Sequence, residues 1–422
     1  VPTFPFRPAL PHQVFTAGFY PNTDADYVVR CALGATASGA ADIGEVLWAV
    51  DAADPDDPEN WFRTWEAAGE RARALADTAA AGGHRLSASW AYLRSATYFA
   101  TALNALGGSG DVDRLLPVFR NHRCGWDRFV DTTTHLVERI AIPYENSTLP
   151  GYFFRPAPDS TPRPTFVMVN GSDGALSALW NSGAAGALAR GYNVLMFDGP
   201  GQQSMLFERE TAFRPDWEAV LTPVLDHLLE RPGVDPDRVA VYGISQGGFW
   251  IARALVFEHR FAAAVADPGV VDVSASWAAN IPNSLMKLFH AGKQKQFDTE
   301  LGIGLKLSGK SAHTWNFRAR PYRRDSYFDT LTAVREYTLG APEAARITTP
   351  LFIADPEDEQ FWPGQSRRLA ETVSGPVHCC RFTAAEGANH HCQPLARTLT
   401  DQRMFDWLDE TLGRGDDRRC RH

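Results

Sequence analysis

A serine set between glycines, a pair of adjacent histidines near the C-terminus and a run of carboxylates between them are the residues of this chain best suited to chemistry. The serine is Ser245 in "VYGISQGGFW", with Gly243 two residues before it and Gly247 two after. Val239 to Tyr242 reads as a buried strand and "GFWIARALVFEH" as the start of a helix, so Gly243-Ile244-Ser245-Gln246-Gly247 is a G-x-S-x-G turn joining them. In that context the pattern describes a nucleophile elbow. The hydroxyl projects above the sheet edge from strained backbone, and neighbouring chain passes so close that a Cβ at 243 or 247 would collide. The following helix adds backbone N–H groups and the positive end of its dipole, which stabilise an oxyanion. A tight turn that merely contains serine is the competing reading, and the order strand, elbow, helix weighs against it.

Serine is a poor nucleophile at its free pKa, so a base must lie downstream, and in this topology the order is Ser, acid, His. The histidines after Ser245 are His259, His290, His313, His378, His390, His391 and His422. Position favours His390 and His391, whose loop "FTAAEGANHHCQPLA" follows the last strand and precedes a final helix, whereas His378 lies in a strand and His422 in a polar tail. One of the adjacent pair is the expected base. A metal site is the rival reading for a His-His-Cys cluster, but no carboxylate spacing supports it and neighbouring loop side chains rarely converge on one ion. The acid must follow the preceding strand, where "PLFIADPEDEQFWPGQ" offers Asp355, Glu357, Asp358 and Glu359. Counted from Pro350, the usual position of the acid falls on Glu359, with Asp358 the alternative; either would hold the imidazole in one tautomer, and the remaining two are expected to be solvated. The oxyanion hole needs a second backbone N–H besides that of Gln246, from the loop after the first parallel strand. In "VMVNGSDGAL" the N–H of Ser172 is the candidate, and Asp173 belongs to the same loop. A phosphate loop is excluded here by the missing Walker or dinucleotide spacing, and "FDGPGQQ" at Phe197 to Gln203 reads as a structural strand-end turn.

The elements that must position these residues are legible as changes of rhythm. Asp57 and Pro58 form a helix-start signal, after which Trp61, Trp65, Ala68, Ala72, Leu75 and Ala79 recur at helical spacing until Gly82 and Gly83. A second stripe, Leu86, Trp90, Leu93, Ala96, Ala100 and Leu103, follows directly, so the pair is an expected antiparallel helical hairpin with its tryptophans in the core. Past His135, "LVERIAIPYENSTLPGYFFRP" reads as two strands around a turn at Glu145 to Ser147. Short apolar runs then alternate with helical segments: Phe166 to Val169, Tyr192 to Phe197, Val239 to Tyr242, Phe261 to Ala266, Leu351 to Ala354 and Val377 to Phe382. Runs without polar alternation suit strands buried on both faces, which implies an α/β fold with a mostly parallel sheet. The expected organisation is a helical region over residues 1–135 and a catalytic region over 136–415. Residues 270–340 interrupt the alternation as a helical lid over the C-terminal strand edge. That segment also holds all the lysines, Lys287, Lys293, Lys295, Lys306 and Lys310.

Composition narrows the partners. The chain has 422 residues, 44% hydrophobic and 22% charged, as in an ordinary globular protein. A formal charge of −9 leaves no footprint for nucleic acid or an anionic membrane, so a small, fairly neutral or apolar substrate is expected. No apolar run approaches the roughly 20 residues of a membrane span. Cys31, Cys124, Cys379, Cys380, Cys392 and Cys420 lack the spacing of a disulfide framework or zinc knuckle, and the N-terminus lacks a basic-then-apolar stretch, so a reduced, cytoplasmic enzyme is expected. The glycosylation patterns at Asn146 and Asn170 are then noise. A homodimer is compatible with the sequence, which specifies no oligomer.

With these residues placed, the chain resembles α/β-hydrolases with a helical N-terminal domain, namely fungal heptaketide hydrolases of the yellowish-green pigment type, fermentation-respiration-switch esterases and 2,6-dihydroxypseudooxynicotine hydrolase. The motifs that carry the resemblance are "NGSDG", "FDGPGQ", "FRPDWE", "GISQGG", "ADPGVVD", "EQFWPGQ" and "EGANHHCQP", across most of residues 160–400. The family pattern places the catalytic histidine directly before a cysteine, which favours His391. It usually has aspartate where Glu359 stands, which keeps Asp358 open. The resemblance implies hydrolysis, without metal or organic cofactor, of a carbon–carbon bond beside a ketone, or of an ester or thioester, in an aromatic or polyketide-like secondary metabolite. An acyltransferase or cyclase would use the same acyl-enzyme. A non-catalytic binding module would have no reason to retain serine, histidine and acid together. A peptidase of the prolyl-oligopeptidase kind would want a repeated-strand propeller in front, where this chain is helical.

Overall fold

The computed structural model describes residues 18–413, so Cys420 and His422 lie outside the described residues. Eight strands form one sheet in the order β1-β2-β4-β3-β5-β6-β7-β8. They are β1 (Leu136–Tyr144), β2 (Ser147–Arg155), β3 (Arg163–Val169), β4 (Asn193–Phe197), β5 (Val234–Ile244), β6 (Ala263–Asp267), β7 (Leu351–Pro356) and β8 (Val377–Phe382). β1 and β2 are antiparallel across the expected turn, where Glu145 takes φ 48°, and β2 also meets β4 antiparallel. The other pairings are parallel. This is the α/β architecture with a mostly parallel sheet that the apolar runs predict.

The strands separate two cores by simple alternation, since successive side chains point to opposite faces. Phe166, Met168, Val194, Met196, Ala240, Tyr242 and Val265 face one cluster, while Val167, Val169, Leu195, Phe197, Val239, Val241 and Ala264 face the other. The first cluster is shared with the N-terminal helices α1 (Thr23–Gly34), α2 (Ile43–Ala52), α3 (Pro58–Ala81), α4 (Arg85–Gly107) and α5 (Leu115–Thr132). The helical region therefore packs as a further layer on one face of the sheet and shares its core. The second cluster takes in helices 218–229 and 247–255 together with the helices of residues 283–334.

Asp57 caps α3 by accepting from the N–H of Glu59 and Asn60, and Trp61, Trp65, Ala68 and Ala72 are buried as the spacing predicts. Leu75 is not: the buried stripe continues at Ala76, which lies on the flank that Phe62 and Gly69 share and that the neighbouring helices cover, while Leu75 lies on the opposite flank. Leu86 and Trp90 are likewise exposed, contrary to the reading of every tryptophan as core. They sit in the first turns of α4, whose Ala88, Tyr92 and Leu93 take the buried positions between α3 and α5.

One buried histidine ties these helices together. The His122 Nδ1–H of α5 donates to the Ala96 carbonyl of α4 at 2.9 Å. Burial, helped by the neighbouring Arg123, pushes its pKa from 6.5 down to about 4. Below the unfolded pKa the unfolded chain binds a proton that the folded chain refuses, so this contribution to stability is complete above pH 6.5 and is lost as pH falls toward 4. Between roughly pH 6.5 and 5 the loss is expected to be about 2 kcal/mol. Urea unfolding at roughly pH 7 and 5 checks this, because His122→Gln should flatten the pH dependence; parallel curves for the two proteins would contradict it.

Candidate active site

Ser245 directly follows β5 with φ 56°, a left-handed conformation rare for a residue other than glycine. Its N–H donates to the Asp267 carbonyl of β6 at 2.7 Å, which anchors the turn. The flanking glycines are required by contact: a Cβ on Gly243 would lie 2.3 Å from the Gly247 carbonyl oxygen, and one on Gly247 2.8 Å from that of Val169.

The loops after β7 and β8 bring two further groups to this serine. Ser245 Oγ lies 2.9 Å from His391 Nε2, and His391 Nδ1 lies 2.8 and 2.9 Å from the two Glu359 oxygens. Burial pushes the Glu359 carboxyl up, but the His391 imidazole and the N–H groups of Phe361 and Trp362 outweigh it and hold it below the usual carboxylate range. A charged Glu359 requires the proton on Nδ1, which leaves Nε2 to accept from the serine hydroxyl. Phe361 and Trp362 wall the imidazole, with ring centroids 4.7 and 5.7 Å from it.

The other sequence candidates are placed elsewhere. Asp358 accepts from Asn389 Nδ2 at 2.6 Å and forms an isolated bridge with His390, pinning the two loops together. His390 lies 3.4 Å from the Gln360 amide. Glu357 accepts from the Ala384 N–H at 2.7 Å. Asp355, expected to be solvated, is buried instead, because Arg367 and Arg381 reach it at 3.0 and 2.8 Å. Among the described residues no group of His, Cys, Asp or Glu could hold a metal ion.

The loop after β3 lies against Ser245: a Cβ on Gly171 would be 2.8 Å from Ser245 Cβ. Gly171 N–H is already bound to the Asn170 side chain at 3.0 Å, whereas the N–H groups of Ser172 and Gln246 have no partner among the described residues. Asp173 accepts from the Ser172 hydroxyl at 3.2 Å, and surrounding protein raises its carboxyl against the opposing pull of that bond and of His391.

Three features of the site escape sequence reasoning. Gln202, in a turn read as purely structural, donates through Nε2 to the carbonyls of Asn170 and Gly171 at 2.9 Å each and clamps the loop. Tyr27 of α1 donates its hydroxyl to the His391 carbonyl at 2.9 Å, a contact across more than three hundred residues that no local pattern announces. The third is a buried knot around Asp267. Cys392 and Gln393, directly after His391, take φ 55° and 42°. Their turn is held by Gln393 Nε2 donating to Asp267 Oδ1 at 2.9 Å, and by Arg397, which donates to the Cys392 carbonyl at 2.8 Å and to Asp267 at 3.2 Å. The Tyr242 hydroxyl also donates to Asp267 at 3.0 Å. An aspartate ending the apolar run "AAVAD" is the one sequence signal that could have pointed to it.

The chain is 36% identical to hydrolase acrC of Aspergillus aculeatus, over 93% of this chain and 97% of that protein. It is 30% identical to hydrolase LUC6 of a Fusarium species, over 95% and 98% respectively. The chain belongs to this family of α/β hydrolases. The family hydrolase also resembles the 20-hydroxy-prefusarin hydrolase FUS2 of Gibberella moniliformis, with 28% identity over 95% of this chain and 98% of that one. Among solved structures it superposes on the 2,6-dihydroxy-pseudo-oxynicotine hydrolase with a TM-score of 0.71 at 19% identity, over 90% of this chain and 96% of the other. Residues 182–299 match the prolyl oligopeptidase family. That match begins before β4 and ends inside the helices after β6, while the chain ahead of the sheet, from α1 to α5, is helical. No helix among the described residues is long and apolar enough to cross a membrane.

Proposed function

We propose that this hydrolase cleaves a carbon–carbon bond beside a ketone, or an ester or thioester, in a polyketide or aromatic small molecule, with Ser245 as nucleophile, His391 as base and Glu359 as its acid. The observation that carries the reading is the unbroken line from Ser245 Oγ through the imidazole to Glu359, with steps of 2.9 and 2.8 Å. His391 Nε2 takes the hydroxyl proton as Oγ attacks the carbonyl carbon, and Glu359 stabilises the imidazolium that forms. The N–H groups of Ser172 and Gln246 receive the oxyanion, a term on the order of a few kcal/mol per donor. Collapse breaks the bond to the leaving group, which takes its proton from His391; a carbon leaving group departs only where a neighbouring carbonyl or phenol delocalises its electron pair. Water, deprotonated by the same imidazole, then releases the acid and restores Ser245. The helical region and the 270–340 segment would wall the substrate site and select a bulky substrate, and the name of one fungal relative, a 20-hydroxy-prefusarin hydrolase, supports a small-molecule substrate.

Product analysis in ¹⁸O-labelled water tests the reaction. A β-diketone polyketide should give a ketone and an acid labelled in its carboxyl, and an aryl ester a labelled acid. Cleavage of the aryl ester alone would leave the esterase form, and turnover of neither would remove the proposal.

A further inference from the structure

One partly buried cation, in the helices that follow β6, forms no ion pair among the described residues. Arg318 ends helix 309–319, and its Nη1 and Nη2 donate to the carbonyl and hydroxyl of Ser276 while the guanidinium lies 4.7 Å over the Trp277 ring. Ser276 takes two of the five N–H donors of a guanidinium, and the others have no acceptor among the described residues. Arg320 differs, because its donors are taken by the Gly107 and Ser109 carbonyls at the end of α4. Asp24, in the first turn of α1, bears electrostatically on Arg318 without forming an ion pair. Burial lowers the Arg318 pKa, with Tyr322 and Asp24 opposing, so taking this guanidinium partly out of water costs free energy. Guanidinium is always charged, so a ligand can offset that cost where deprotonation cannot.

The position ties this charge to both halves of the triad. Tyr322, one helical turn on, is buried with its hydroxyl beside the Gln246 side chain, next to Ser245. The Ser276 hydroxyl donates to the Val273 carbonyl at 3.1 Å, which also accepts from the Trp362 indole at 3.3 Å, and Trp362 packs on His391. Arg318 is thus linked to Ser245 by way of Tyr322 and Gln246 and to His391 by way of Ser276, Val273 and Trp362, and it remains partly accessible. We infer that Arg318 recognises a carboxylate on the substrate, held by the planar guanidinium fork beside the bond to be cleaved. The inference deepens the hydrolase reading and rests on it for the identity of the site. A carboxylate fits best because its two oxygens match two parallel N–H donors.

Isothermal titration with 2-naphthoate and 2-naphthamide tests it, since the pair differs mainly in charge. Wild type should bind the carboxylate at least about tenfold more tightly than the amide, and Arg318→Gln should abolish that preference while leaving amide binding within about twofold. Arg318→Lys should keep part of it, and reads the same question should the glutamine variant fail to fold. No preference in wild type, or a preference that survives Arg318→Gln, overturns the inference. Binding does not require a working nucleophile, so the preference measured in Ser245→Ala separates the two readings: a protein that binds naphthoate through Arg318 but never turns over would sink only the hydrolase chemistry.

Discussion

Ser245→Ala is expected to lower kcat on aryl esters by about 10⁴- to 10⁶-fold with the melting temperature nearly unchanged. Alanine retains the Cβ that already occupies φ 56°, so the turn loses only the hydroxyl. What remains is the oxyanion donors and substrate binding, which by themselves give modest catalysis. His391→Ala should cost a similar factor, and the double variant little more, because nucleophile and base act as one unit. Steady-state kinetics on the three proteins checks this. A loss below about a hundredfold for Ser245→Ala would indicate that water activated by His391 attacks the carbonyl directly.

The largest effect on stability is expected at Arg397. Its ion pair with Asp267 has side chains only 3% and 1% exposed, and Arg397→Met leaves the aspartate buried without its cation. Breaking one partner of such a pair costs about 3–5 kcal/mol. The same guanidinium holds the Cys392 and Ser182 carbonyls at 2.8 and 2.7 Å, so its loss also frees the left-handed turn behind His391. Activity should therefore fall even in the fraction that stays folded. Urea denaturation with kcat measured well below the midpoint checks both effects, and adding Asp267→Asn should recover part of the stability. A variant as stable and active as wild type would show that the knot has no role in holding the histidine.

How far the sequence disclosed this protein follows from the range of the interactions involved. The elbow, the parallel strands and the α3–α4 hairpin are written in neighbouring residues: glycines at fixed offsets, unbroken apolar runs, an Asp-Pro cap. Placing Glu359 and His391 beside Ser245 needed only the order of loops along one sheet edge. The errors have a common cause. Leu75, Leu86 and Trp90 satisfy a helical stripe, yet which flank of that stripe is covered depends on where the next helix lies. Asp355 looked solvated because the arginines that bury it come from residues 367 and 381. Tyr27, Gln202 and Arg397 act on the site through contacts between segments distant in sequence, and their local surroundings hold nothing that distinguishes them from structural residues.

The most direct test of the central claim is mass mapping after treatment with a fluorophosphonate, which reacts with a serine only where a base activates it and an oxyanion hole receives the phosphonyl oxygen. The expected result is a single adduct on the peptide carrying Ser245, absent from Ser245→Ala and strongly slowed in His391→Ala. An unlabelled Ser245, or equal labelling of wild type and Ser245→Ala, would contradict the assignment of this serine as the nucleophile.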